Sequence, residues 1–372
     1  MASPRTSSKP ADLWHMRGAL GLARRGLGQV APNPAVGCVI VRDSRIVGRG
    51  WTQPGGRPHA ETEALQQAGG RARGATAYVT LEPCAHHGQT PPCADALVGA
   101  GIKRCVVALP DPDPRVSGQG IERLKAAGID VLEGVLTREA ERLNEGFLTL
   151  QRLGRPMLTL KLATTLDGKI ATASGDSKWI TGPQARRYGH LLRASHDAIL
   201  TGIGTVLADD PMLDCRLEGL EHRSPKRVVM DSAFRLPPAC QLARTAERDP
   251  ILVLTGGVAP GPASAAKGVE QIALASGADG RVEPGAALQA LGERGITRVL
   301  AECGAELAAS LLAADLVDRI AWFRAPSVMG GDGRGALGAL GLEKAGDARR
   351  NVREATLPLG EDMLETYCRT SY

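Results

Sequence analysis

Leu13, Met16, Leu20 and Ala23 recur at helical intervals in ADLWHMRGALGLARRG, and the arginines between them leave the other face to solvent. A first helix is predicted there. In VGCVIVRDSRIVGRGW, residues 36–51, two β-branched runs flank the polar turn Arg42-Asp43-Ser44-Arg45, which is a hairpin signal. HAETEALQQAG returns to helical spacing and stops at Gly69 and Gly70. TAYVTLEP then reads as a strand, IKRCVVALPDPDP as a strand and a Pro-rich turn, GIERLKAAG as a helix and IDVLEGVL as a strand. Strands alternating with helices of roughly ten residues call for crossover connections and a largely parallel sheet with helices on both faces.

A second alternation begins at PMLTLKLATTLDGKIA, near residue 156, and runs to the C-terminus. Between the two, TREAERLNEGFLTLQRLGRP is helical and ends at Gly154 and Pro156, the natural place for a linker. Without an internal repeat, this reads as two different α/β domains, residues 11–150 and 155–372. A length of 372 residues agrees, being more than one ordinary domain.

Composition narrows the function. Hydrophobic residues at 43% and charged residues at 23% describe a globular chain, and the first ten, MASPRTSSKP, read as a frayed start. Aromatic residues at 3% are too few for a surface on which bases stack, which argues against nucleic acid as a partner. A net charge of +5 suits phosphorylated small molecules without pointing to them. The eight cysteines, Cys38 to Cys368, follow no disulfide framework and no secretory leader is apparent, so a reducing, cytoplasmic setting is expected. No apolar run reaches the eighteen or so residues of a membrane helix, so no membrane partner is expected.

The chemistry concentrates in LEPCAHHGQTPPC, residues 81–93, whose two cysteines and two histidines are all legitimate zinc ligands. Four protein ligands would make a structural site and three would leave a catalytic position. The segment alone leaves both open. Upstream, His59-Ala60-Glu61 opens a helix, and Pro83-Cys84 follows a strand, the arrangement of zinc deaminases, with the Pro-Cys pair expected at a helix start. His59, Cys84 and Cys93 then make three ligands, leaving the fourth position to a water that the metal acidifies. Glu61, two residues after His59, is placed to shuttle the proton without coordinating. On its own a His and a Glu at a helix start are ordinary surface residues; the downstream Pro-Cys gives them chemical meaning. His86 and His87 are assigned to the loop wall, and the other cysteines to buried packing.

Nucleic-acid deaminases keep two residues between their cysteines, whereas eight separate Cys84 and Cys93. HAE with TLEPCAHHGQTPPC resembles the bifunctional riboflavin-biosynthesis deaminase-reductases, in which the longer loop is characteristic. APNPAVGCVIV looks like that family's substrate loop, with Asn33 in the matching place, and DPDPRVSGQGIERLKAAGIDV and LNEGF continue the likeness. KLATTLDGKIA, SGDSKWITG, ILTGIGTVLADDP, VVMDS and MGGDG are similar, in order, to motifs of the family's reductase half.

The resemblance implies a cytidine-deaminase-like αβα domain followed by a dihydrofolate-reductase-like α/β domain. It implies hydrolytic deamination of a diaminopyrimidinone ribosyl phosphate with Zn²⁺, then reduction of the ribosyl group to ribityl with NADPH. By position, Ala163, Trp179, Thr205, Asp209 and Ser232 would border NADPH. Gly304, Ala305, Glu306, Leu307, Ala308, Ala309 and Ser310 would form a Gly-led helix start suited to its phosphates. Lys161, Ser177, Arg193, Leu213, Arg216 and Glu302 would face the substrate, the two arginines as phosphate ligands and Lys161 or Asp209 as the sugar's orienting group or proton donor. The Rossmann fingerprint is missing: Gly202-Ile203-Gly204 has no third glycine in place. Asp214 and Cys303 depart from the family's usual residues, and a carboxylate beside a phosphate site is electrostatically awkward. A phosphorylated pyrimidine is the expected partner, together with other copies of the chain in a homo-oligomer. The competing readings are a nucleic-acid base deaminase with an accessory domain, which wants a basic, aromatic-lined channel, and a zinc-stabilised binding protein, which wants a fourth ligand.

Overall fold

A computed structural model describes residues 9–85, 91–112, 117–261 and 263–369. Most of the expected frayed start and the loop carrying His86 and His87 lie outside the described residues. The chain divides into two compact units, Met1–Gly154 and Arg155–Tyr372.

The first unit runs α1 (Pro10–Ala23), β1 (Gly37–Arg42), β2 (Arg45–Trp51), α2 (Ala60–Ala68), β3 (Thr76–Val79), α3 (Cys93–Gly99), β4 (Arg104–Val107), α4 (Gln119–Ala126), β5 (Asp130–Glu133) and α5 (Thr137–Leu153). Its sheet has the order β2-β1-β3-β4-β5, with β3, β4 and β5 parallel and β1 antiparallel to both its neighbours. The parallel expectation therefore holds for three strands. The two-residue turn of the hairpin places Asp43 at φ 50° and Ser44 at φ 58°, a pair of left-handed residues whose twist matches the flanking strands. At Gly50 of β2 a Cβ would fall 2.1 Å from the carbonyl oxygen of Ala60, so the start of α2 rests directly on the sheet. That contact fixes the helix end from which His59 and Glu61 project.

The helix read as a linker is instead part of this unit. Ala140, Leu143, Phe147 and Leu148 of α5 are buried in its core, and Asn144 Oδ1 accepts the Ala35 N–H at 2.9 Å. Periodic apolar residues on a helix beside a domain boundary serve a core as readily as they serve a connection, and here the chain breaks only at Gly154, in the left-handed region (φ 67°).

The second unit contains β6 (Met157–Thr164), β7 (Lys169–Ala171), α6 (Pro183–Ala194), β8 (Ala198–Gly202), α7 (Ile203–Asp209), β9 (Lys226–Met230), α8 (Gln241–Arg244), β10 (Ile251–Thr255), β11 (Val269–Ala273) and α9 (Pro284–Glu293). β12 (Arg298–Ala301), α10 (Ala305–Ala313), β13 (Arg319–Arg324), β14 (Arg334–Gly335), β15 (Asn351–Leu359) and β16 (Asp362–Arg369) complete it. The main sheet has the order β11-β10-β9-β8-β12-β6-β13-β16-β15. It is parallel through β13 and ends in the antiparallel pair β16 and β15. β12 enters between β6 and β8, so the loops after these strands converge at one sheet edge, where open α/β sheets bind ligands. Immediately after the chain break, Arg155 makes a buried two-pronged pair with Asp318 (2.7 and 2.8 Å), and Asp318 also accepts the Leu158 N–H. Among the described residues no helix is long and apolar enough to cross a membrane.

Candidate active sites

In the first unit His59 is the N-cap residue of α2, and Cys93 is the first residue of α3. Cys84 lies in irregular backbone after β3, which corrects the expectation that the Pro-Cys pair opens a helix. The longer segment between the cysteines delays the helix to Cys93, and the Cys93 N–H reaches back to Cys84 Sγ at 3.3 Å. Cys84 thus receives a helix-end amide from the neighbouring helix rather than from its own.

His59 Nδ1 stands 3.3 Å from Cys93 Sγ and 3.7 Å from Cys84 Sγ, and the three donor atoms lie within 4.8 Å of one another. Tetrahedral zinc with bonds of about 2.3 Å to sulfur and about 2.0 Å to nitrogen needs N···S edges of about 3.6 Å, so the donor set fits the metal in kind and spacing. Electrostatics agree. Hydrogen bonds from Cys93 and His59 bring the Cys84 thiol down to about 4, while the bond to Cys84 and burial push the Cys93 thiol up. The same contact with Cys84 raises His59. Glu61 is 3% exposed; burial, reinforced by the charge on Cys84, lifts its carboxyl to about 7. A carboxyl poised near neutrality beside a metal triangle can both take and return a proton. Asn33 lies against Gly56, where a Cβ would fall 1.9 Å from its Nδ2, and so sits on the turn that leads into His59.

In the second unit Gly202 and Gly304 are the N-cap residues of α7 and α10. A Cβ on Gly304 would lie 3.8 Å from Thr205 Oγ1, and one on Gly202 3.4 Å from Leu307, so the two helix starts adjoin at the ends of β8 and β12. Exposed N–H groups at the start of α10 fit a dinucleotide's phosphates. Along α10 Gly304 and Ala305 are half-buried and Glu306 is exposed, Leu307 lies beside Gly202, Ala308 and Ala309 are buried, and the half-buried Ser310 hydroxyl donates to Glu306 O. Ser232 Oγ accepts the Val282 N–H, Ala163 is half-buried in β6, and Asp209 is exposed at the end of α7. Trp179 is 70% exposed with the Arg186 guanidinium over its ring at 4.7 Å, which sets aside a core role for it.

Of the expected substrate residues, three form one half-buried cluster. Arg193 donates from Nε and Nη2 to the two oxygens of Glu302 (2.8 and 2.9 Å) and from Nη1 to Asp214 O (2.9 Å), and Lys161 Nζ stands 3.7 Å from Glu302. Burial alone would raise Glu302, but Arg193 and Lys161 hold it down at about 2. The forked face of Arg193 is therefore occupied by a carboxylate rather than open to a phosphate. Arg216 is exposed, with Nε 3.4 Å from Asp214 Oδ1, so the awkward carboxylate faces an arginine. Leu213 is packed in the core at φ 58°, leaving only its backbone to a substrate, and Ser177 is half-buried. Burial lifts the Cys303 thiol to about 12, so this departure adds no charge.

Two supporting residues escaped the sequence reading. His190 Nδ1 lies 3.2 Å from both Asp214 O and Arg216 N, and Asp167 accepts the N–H groups of Met329 and Gly330, joining the TLDGK and MGGDG motifs. The second was signalled by an Asp-Gly pair at a turn; nothing in the sequence joined His190 to residues some twenty-five positions on.

Residues 156–364 match the family described as RibD C-terminal domain, and residues 9–109 match the cytidine and deoxycytidylate deaminase zinc-binding region. The riboflavin biosynthesis protein RibD of Escherichia coli is 44% identical over 357 residues, covering 91% of this chain and 94% of that protein. That of Aquifex aeolicus is 42% identical, covering 95% and 97%. The chain belongs to the RibD family. The solved structure of Acinetobacter baumannii RibD superposes with a TM-score of 0.88 at 40% identity, covering 97% of this chain and 99% of that one. A Thermotoga maritima protein described as a diaminohydroxyphosphoribosylaminopyrimidine deaminase/5-amino-6-(5-phosphoribosylamino)uracil reductase gives 0.85 at 36% identity, covering 96% and 99%. As a RibD, the chain is a bifunctional deaminase and reductase of riboflavin biosynthesis, acting on a small-molecule pyrimidine with zinc and NADPH as cofactors. The match over the second unit sets aside the reading as a nucleic-acid deaminase with an accessory domain.

Proposed function

We propose that deamination of a diaminopyrimidinone ribosyl phosphate belongs to residues 11–150, around His59, Cys84, Cys93 and Glu61. Reduction of its ribosyl group then belongs to residues 155–372, at the ends of β6, β8 and β12. The observation that carries the first assignment is the close triangle of one imidazole and two thiols with a buried carboxyl beside it. Zinc, when bound, supplies Lewis acidity there. His59, Cys84 and Cys93 hold it. The Glu61 carboxylate takes a proton from the attacking water and hands it to the ring nitrogen; it then takes the remaining proton of the newly added hydroxyl and passes it to the amine, which leaves as ammonia as the carbonyl forms. Asn33 positions the pyrimidine.

NADPH, when bound, supplies the hydride. Gly304, Ala305 and Glu306 offer N–H groups to its phosphates, and Ala163, Trp179, Thr205, Asp209 and Ser232 border it. On the substrate side Arg216 takes the ribose phosphate, Ser177 and the Leu213 backbone border the pyrimidine, and Lys161 hydrogen-bonds the sugar. Arg193 acts through Glu302, fixing the carboxylate that orients the sugar hydroxyls. A phosphate contact is made in the ground and transition states alike, so Arg216→Ala is expected to raise KM for the deaminated pyrimidine about ten- to a hundredfold with little change in kcat. NADPH titrated by fluorescence should bind as in the wild type; weakened NADPH binding with an unchanged KM would assign Arg216 to the cofactor.

A cytoplasmic location is supported by eight cysteines that are all free. A homo-oligomer is supported by β15, a nine-residue edge strand that among the described residues pairs only with β16 and exposes Val352 and Leu357. An open edge of this length is usually covered. Light scattering at micromolar concentration should give at least twice the 38.9 kDa chain mass; a monomer would refute it.

A further inference from the structure

Glu82 is buried, and its carboxylate accepts four backbone N–H groups. One oxygen takes those of Asp111 (3.2 Å) and Gly118 (3.0 Å), and the other those of Gly120 (2.9 Å) and Ile121 (3.2 Å). Gly118 is the N-cap residue of α4, which has no side-chain cap of its own, so a carboxylate from a distant segment closes that helix end. The next residue touches the same helix: a Cβ on Gly120 would fall 1.9 Å from the carbonyl oxygen of Pro83. One turn further on, Arg123 Nη1 donates to Ala85 O (3.0 Å) while its guanidinium pairs with Asp95 of α3 (3.2 Å). Residues 82, 83 and 85 are thus fastened in order to the first turns of α4. Cys84 is the residue between them.

We propose that α4, through Glu82, is the brace that holds Cys84 for zinc, with Glu82 a positioning residue for deamination; this rests on the assignment of Cys84 as a ligand. Cys84 lies in irregular backbone, and its ties to α3 are the Ala94 N–H to Cys84 O (3.2 Å) and the Cys93 N–H to Cys84 Sγ. Those contacts fix its separation from Cys93. The residues on either side of it are held by α4, a helix that contributes no residue to the donor triangle. Groups that orient a metal's ligands typically change metal affinity by about 10- to 100-fold when removed.

The test uses the full chain, zinc-loaded and titrated with a competing chelator, as Glu82→Gln, Gly120→Ala and Cys84→Ser. Gln keeps the volume of Glu82 but turns an amide N–H₂ towards two donors. Gly120→Ala keeps the Glu82 carboxylate but pushes the segment off α4, since the added Cβ would fall 1.9 Å from Pro83 O and 3.2 Å from Glu82 Cγ. Both are expected to bind zinc about 10- to 100-fold more weakly. Both should also shift the thiolate-to-metal absorption of the cobalt-loaded protein, while NADPH-dependent reduction of the deaminated pyrimidine keeps its wild-type rate. Wild-type zinc affinity and cobalt spectrum in both, with zinc lost in Cys84→Ser, overturn the brace but leave the ligand assignment standing. Zinc retained in Cys84→Ser overturns the assignment and the brace together. Should Glu82→Gln fail to fold, Gly120→Ala decides alone.

Discussion

Glu61→Gln is expected to keep about one zinc per chain while ammonia release falls by about 10²–10⁴-fold, the loss typical of a missing general acid–base group. The substitution is nearly isosteric, and it removes the only feature of Glu61 that the mechanism uses, an oxygen able to take and return a proton. Metal retention follows because His59, Cys84 and Cys93 complete the donor triangle without it. Zinc content by atomic emission and ammonia release by a coupled assay read the two effects separately. If zinc leaves with the carboxylate, Glu61 is a ligand and not a shuttle.

Cys84→Ser is expected to abolish deamination and leave reduction of the already deaminated pyrimidine near its wild-type rate. The zinc donors and Glu61 all lie before Gly154, and the proposed reductase residues all lie after Arg155, each set on its own sheet. Supplying the intermediate directly and following NADPH absorbance isolates the second step. Collapse of both activities in a folded protein would mean that the two sites share groups.

Much of this was legible because local chemistry forced it. The turn at Asp43 and Ser44, the helix opening after His59 and the alternation of strands and helices follow from periodicity and turn residues, and the structure keeps them. Four features were not legible, for a common reason. The helix start at Cys93 rather than Cys84 depends on the length of the intervening loop, α5 belongs to a core whose partners lie far off in sequence, and Arg193 is turned from phosphate to Glu302, 109 residues away. Glu82 is the sharpest case: its partners are four backbone amides 29 to 39 residues distant, and backbone amides leave no trace in a residue pattern. Side-chain identity announced the candidate ligands His59, Cys84 and Cys93. The backbone amides around Glu82 became visible only in three dimensions.

The question raised by LEPCAHHGQTPPC, closed knot or open catalytic site, is settled most directly by anomalous scattering at the zinc edge from crystals of the full chain. One peak is expected within bonding distance of His59 Nδ1, Cys84 Sγ and Cys93 Sγ, with no fourth ligand from the protein. A fourth protein ligand from His86, His87 or Glu61 would close the site to the attacking water and contradict that expectation.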